Sequence, residues 1–219
     1  MDPRARSIPP QAASGTRAAP APRGAWLRPL DPGIEPVTHV RGTLIVASRD
    51  QIKALGEYDR YLEALAPEAN VEIVSLIAAS WVPLAVARAH FEALDRLELE
   101  AEAIEGAAKA VAGKLHGVLL RTVAKAAQAS GATPLSVVRA LGTLWGRTFQ
   151  GGGVGVKQTG PKEGLVYVVA SPLLASRYHR TGLRTHIQMA ADLFAERAFV
   201  REQSYKAMLH ELVIRVQWV

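Results

Sequence analysis

Apolar residues recur along this chain at two different periods, and the switch between them divides it. From Ser48 onward Ile52, Leu55, Tyr58, Leu62 and Leu65 return every three or four positions, the spacing of one face of a helix. Ser48 reads as the N-cap of that helix and Pro67 as its stop. The preceding stretch, Val40–Ala47, is short and β-branched, which predicts a strand. A second helix is expected over about 71–79. The Trp81-Val82-Pro83 break then sets Pro83 near the first turn of a third, whose apolar stripe is Leu84, Ala87, Phe91, Leu94 and Leu97. Residues 100–130 are alanine-rich and read as helical, with Leu115, Val118, Leu119 and Val123 on one face. Gly131 ends that element, and Thr133-Pro134 opens the next, which carries Leu135, Val138, Leu141 and Trp145.

After Phe149 the period shortens. A glycine loop at 151–155 leads into a strand, a turn at 160–164 and the apolar run Leu165–Ala170, which together read as a hairpin with a buried second strand. Pro172 is expected to open a helix to about Tyr178, and Leu183–Ala195 to form another. Phe199–Ser204 and Leu209–Trp218 close the chain as a second hairpin. The last strand alternates, with Leu212, Ile214, Val216 and Trp218 on one face. Helices and antiparallel strands segregate along the sequence. That predicts the α+β class, a helical N-terminal subdomain packed on a small antiparallel sheet made of two C-terminal hairpins.

Composition adds a boundary. Residues 1–36 hold eight of the thirteen prolines and few large apolar groups besides Trp26 and Leu27. Such a stretch cannot bury enough surface to offset its ordering entropy, so a disordered Pro/Ala/Arg-rich tail is expected there and one domain over 37–219. Cysteine is absent, which excludes disulfides, thiolate chemistry and cysteine-held zinc or iron–sulfur centres. No apolar run is long enough to span a bilayer, and the arginine-bearing N-terminus lacks the apolar core of a secretory signal. A cytoplasmic protein with no membrane partner is expected. The net charge of +6 is spread thinly. It permits nucleic acid without requiring it.

Several local patterns carry candidate chemistry. The Gly151-Gly152-Gly153-Val154-Gly155 run follows a helix and enters a strand, the reverse of a dinucleotide fingerprint, so it reads as a helix end and hairpin entry. Residues 122–146 have the outline of a helix-turn-helix, with Ala127 and Gly131 at the small and turn positions and Thr133, Ser136 and Arg139 able to face bases. Arg177, His179, Arg180, Arg184 and His186 gather around Gly182 and could hold an anion. Glu98, Glu100, Glu102 and Glu105 fall on one charged helix face, the ordinary place for them. No nucleophile–base arrangement or metal-ligand spacing stands out, so a non-enzymatic protein is expected, with no metal.

The C-terminal half, from Trp145 and Phe149 through the glycine hairpin and the Tyr178–Gly182 segment to Trp218, resembles the heme-NO-binding-like superfamily. That group includes the H-NOX gas sensors and the 4-vinyl reductase domains. With Arg41-Gly42-Thr43 and Trp81-Val82-Pro83-Leu84, the chain is similar to an uncharacterised paralogous family of myxobacteria within it. The resemblance implies a sensory or scaffolding domain in bacterial signalling, a pocket for a small hydrophobic ligand, and a homodimer. Aromatic residues Trp81, Phe91, Trp145, Phe149 and Tyr178 are the expected lining. H-NOX domains hold haem through a helical histidine and a Tyr-x-Ser-x-Arg motif. His90 and His116 stand on helices, but no tyrosine here begins that motif, so no cofactor is expected. Two other readings remain: a DNA-binding protein using residues 122–146, and a protein-interaction module using the basic tail.

Overall fold

The computed structural model of this chain describes residues 24–113 and 134–219. Its larger sheet has five strands, all antiparallel, in the order β1-β5-β6-β8-β7: β1 (Ala25–Arg28), β5 (Gly153–Gly160), β6 (Glu163–Val169), β8 (Glu211–Trp218) and β7 (Ala198–Lys206). A smaller sheet pairs β2 (His39–Arg41) with β3 (Trp81–Pro83) on one side and β4 (Phe149–Gln150) on the other. Helices α1 (Gly42–Ala54), α2 (Tyr58–Ala64), α3 (Pro67–Val74) and α4 (Leu84–Arg96) form the N-terminal half. Residues 101–113 form α5, and α6 (Pro134–Thr148) and α7 (Arg177–Asp192) lie against the large sheet. The architecture is α+β, as the segregation of elements predicted.

The sheet has two chemically distinct faces. Val154, Val156, Val166, Val168, Leu212, Ile214 and Val216 are buried and fall in register on the side that meets the helices. Burying a valine, leucine or isoleucine contributes about 1.5–3 kcal/mol each, so this face anchors the fold. The opposite side carries Lys157, Tyr167, Arg215 and Gln217.

Three expectations about these elements are corrected. Val40–Ala47 is not one strand: only His39–Arg41 is extended, and α1 starts at Gly42. Its Ile45, Ser48 and Ile52 are buried at helical spacing, so packing overrides the β-branched propensity. Ser48 consequently sits mid-helix and not at a cap. Gly42 is required at the start, because a Cβ there would lie 2.7 Å from the Ile77 carbonyl oxygen. The two helices expected over 172–195 are a short 3-10 turn, Pro172–Ala175, followed by the single helix α7; the loss of about 1 kcal/mol at Gly182 is outweighed by tertiary packing.

The boundary of the expected tail also moves. Residues 24–36 belong to the fold: β1 pairs with β5 through Ala25↔Gln158, Trp26↔Lys157 and Arg28↔Val156, giving the sheet a fifth strand beyond the two hairpins. The segment is held by polar contacts along its length. Arg28 Nε donates to the Val154 carbonyl at 3.0 Å and the Gly152 amide to that of Glu35 at 2.7 Å. The glycine run is its seat. A Cβ at Gly153 would lie 2.8 Å from Ile34, and one at Gly155 2.8 Å from Leu30. Composition alone hid this, because the apolar partners Trp26, Leu30 and Ile34 are scattered residues docked on bare glycine backbone.

Candidate functional site: an apolar cavity between helices and sheet

A partly open cavity of about 110 Å³ lies where α1, α4, α5, α6 and α7 meet β5 and β6. Its walls are mostly hydrocarbon and aromatic: Leu44, Phe91, Leu144, Trp145, Phe149 and Val168 are among the lining residues. Apolar cavities of this size class, around 150 Å³, stay dry and accept benzene-sized guests. Trp145 stacks on Phe149 with ring centroids 4.1 Å apart, and its indole N–H donates to the Gly151 carbonyl at 2.9 Å. Its polar end is thus satisfied away from the cavity.

The polar groups of the wall come from α7, α6 and α1. Ser176 caps α7, its hydroxyl accepting the His179 amide at 3.1 Å. The Asp95 carboxylate on α4 accepts the Arg177 and Tyr178 amides at 3.2 and 2.8 Å. A carboxylate at a helix N-terminus is favourable toward the macrodipole as well as toward the free amides. This double cap fixes Tyr178 and His179 at the cavity. Thr148 donates to the Leu144 carbonyl and Thr185 to that of Thr181. The buried Ser48 Oγ, Tyr178 hydroxyl and His179 Nε2, by contrast, have no well-formed hydrogen bond.

Burial sets the charge state of these groups. It pushes the His179 imidazole down to about 3, with the neighbouring His186 and Arg180 acting in the same direction. His186 is lowered by burial too, against a hydrogen bond to the Gly182 carbonyl. Burial raises the Tyr178 phenol, and the nearby Ser48 hydroxyl partly offsets that. Every titratable group of the described lining is therefore uncharged at neutral pH.

Of the five aromatics expected to line a pocket, Phe91, Trp145, Phe149 and Tyr178 are brought together on this wall. Trp81 is not among them. It lies on β3 with the Arg41 guanidinium 4.1 Å over its ring. The expected anion cluster is not assembled. Arg184 pairs with Glu105, Arg180 reaches Glu202 and lies over Tyr205, Arg177 is exposed, and His179 is buried and neutral. His90 lies apart, its Nδ1 hydrogen-bonded to the Tyr61 hydroxyl at 2.7 Å. His116, and residues 122–133 of the expected helix-turn-helix, lie outside the described residues. Its second helix is α6, whose Leu141, Leu144 and Trp145 face the cavity. Ser48, Leu183, His186, Ile187 and Ala190 were missed as lining. With α7 read as one helix, the recurrence of 179, 183, 186, 187 and 190 on one face was the available signal.

No protein-family model matches the chain, and no curated protein matches it by sequence. Solved structures do match. An Fe(II) unliganded H-NOX protein from K. algicida aligns at 10% identity with a TM-score of 0.58, over 82% of this chain and 96% of that one. An H-NOX mutant from T. Tengcongensis aligns at 12% identity and TM-score 0.52, covering 81% and 97%. An oxygen-binding H-NOX domain related to soluble guanylate cyclases, in its oxygen complex, aligns at 12% and 0.50, covering 81% and 94%. The fold is H-NOX-like.

The described residues of this H-NOX-like chain do not fit a haem. No lysine or arginine of the described lining is available to meet propionates. His179 offers an unpartnered ring nitrogen, but its imidazole is hemmed by Phe91 and Phe149, with centroids 4.8 and 6.0 Å away. Among the described residues no group of three or more metal-ligating side chains occurs, and no helix is long and apolar enough to cross a membrane.

Proposed function

We propose that this chain is a non-enzymatic sensory domain that binds a small, uncharged, largely apolar molecule in the cavity. The carrying observation is the cavity itself, a space of about 110 Å³ walled by Phe91, Trp145, Phe149 and aliphatic side chains. The uncharged state of its histidines disfavours ions, since an anion or cation would be desolvated there without a counter-charge. Ligand pockets are mostly apolar with a few polar groups that set orientation, and Ser48, Tyr178 and His179 fill that role. The H-NOX-like fold supports a sensing role in bacterial signalling. The same proposal takes the domain to act inside the cell, as a homodimer and without haem. The likeness to a myxobacterial paralogous family belongs to the same reading.

The test uses toluene and phenol as probes in thermal melts. A ligand at a hundred times its Kd stabilises by about 2.7 kcal/mol, which raises the midpoint of a domain this size by roughly 5–10 °C. Ala108→Leu, which fills the cavity from α5, should abolish the shift. A shift that survives the filling substitution, or a stoichiometric Soret band after haem addition, overturns the reading.

A further inference from the structure

The face of the large sheet turned away from the helices carries a row of side chains that the cavity does not explain. Strand register places Trp26 opposite Lys157, Lys157 opposite Leu165, Leu165 opposite Arg215, and Arg215 opposite Arg201. Residues directly opposite in antiparallel pairs point to the same face. The row therefore crosses all five strands, with Lys157 and Arg201 about 15 Å apart at the usual strand spacing. Two further aromatics flank this row on opposite sides: Tyr167, its ring 5.2 Å from that of Trp26, and Phe199, under the Arg197 guanidinium at 5.0 Å.

Two features of this row need an explanation. Arg215 and Arg201 are like charges directly opposite each other, an arrangement that destabilises a sheet. The Arg215 guanidinium meets the Gln203 side chain at 3.4 Å, and no described carboxylate pairs with either arginine. The acids on this face are engaged elsewhere: Glu163 accepts from Thr159 and Gln217 at 2.9 and 2.8 Å, and Glu211 pairs with Lys206 at 2.6 Å. Trp26 is 44% exposed although it belongs to an ordered strand. Cations aligned with open aromatic rings on an antiparallel sheet are the combination that binds single strands: phosphates meet the cations while bases stack on the rings. The 23 residues preceding Gly24 contain four arginines and one acid.

We infer that this outer sheet face is a binding surface for single-stranded nucleic acid, with Arg201 and Arg215 on phosphates and Trp26 stacking a base. The surface is independent of the cavity and of the 122–146 segment. An acidic peptide would use the cations but not the rings. A membrane would instead engage the exposed Met208 and Leu209 at the β7–β8 tip.

The full chain is titrated with fluorescein-labelled oligo(dT) of fifteen nucleotides over a salt series. Binding is expected, with each of Arg201→Ala and Arg215→Ala reducing the log–log salt slope by about 0.7. Trp26→Ala should weaken affinity roughly tenfold, the scale of one lost base–ring stack. Unchanged melting of the arginine variants shows that folding is not the cause. The inference is overturned if oligo(dT) does not bind, or if the three variants bind like the parent. It is equally overturned if polyglutamate or phosphatidylglycerol vesicles compete as well as the oligonucleotide, or if Lys125→Ala with Arg139→Ala is what removes binding.

Discussion

Two buried histidines mark two ways of filling the same interior. His90, in the helical half, is fully buried with its Nδ1 on the Tyr61 hydroxyl, and Ile45, Ile52, Ile73 and Leu94 around that layer expose almost nothing. His179, on the sheet side, is equally neutral but stands beside open space. Phe91 belongs to both, its ring 5.0 Å from His90 and 4.8 Å from His179. One aromatic ring is thus the wall between a solid core and a cavity. The same burial that makes the first region a scaffold makes the second, with its space left over, a place where something can bind.

The largest effect should come from removing that wall. Phe91→Ala is expected to destabilise by about 3–5 kcal/mol, the cost of a large-to-small change at a buried aromatic. Urea unfolding measures it. A loss under about 1 kcal/mol would mean that the two regions are already continuous and the comparison fails.

Acid comes next. Burial holds both His90 and His179 at about 3 in the folded state, below the ordinary value of 6.5. The unfolded chain takes up protons first, so stability is fully present above about 6.5 and falls as pH drops toward 3. Each group contributes about 1.4 kcal/mol per pH unit in that window, giving roughly 2–3 kcal/mol lost between pH 7.5 and 5.5. His90→Gln and His179→Gln should each flatten the profile. A stability that is level over this range would show that the imidazoles reach water.

Alanine-to-leucine substitutions separate the regions directly. Ala93, fully buried on α4, has no room, and Ala93→Leu should cost about 1–3 kcal/mol by overpacking. Ala108 faces the cavity, and Ala108→Leu should lie between neutral and about 1 kcal/mol stabilising. Equal penalties in the two variants would mean that the cavity closes in solution.

Much of this was legible from periodicity. The stripe Leu84–Leu97 became α4, the glycine hairpin became β5 and β6, and the alternation of Leu212, Ile214, Val216 and Trp218 became the buried face of β8. Three features were not, and for different physical reasons. Most of the β-branched stretch Val40–Ala47 entered a helix because its packing partners outweigh its propensity. The cavity face of α7 was hidden by reading Gly182 as a boundary. The place of residues 24–36 was hidden because glycine backbone, which has no pattern of its own, is what they dock on.

The smallest expected effect probes that last contact. Trp26 packs its ring on Tyr167 and over Gly155, where a Cβ would lie 3.0 Å from it, yet keeps nearly half of its surface in water. Only the aromatic pair and a partial burial are lost in Trp26→Ala, and pairs of this kind contribute about 0.5–1.5 kcal/mol beyond area. The expected loss is about 1 kcal/mol, a shift of roughly 2–4 °C in the melting midpoint. Gly155→Leu should cost more, because it displaces Leu30 and Trp26 together and lifts β1 from the edge of β5. If deleting residues 1–36 shifted the midpoint no more than Trp26→Ala does, β1 would add nothing to the domain beyond that ring, and the corrected boundary at Gly24 would have to return to 37.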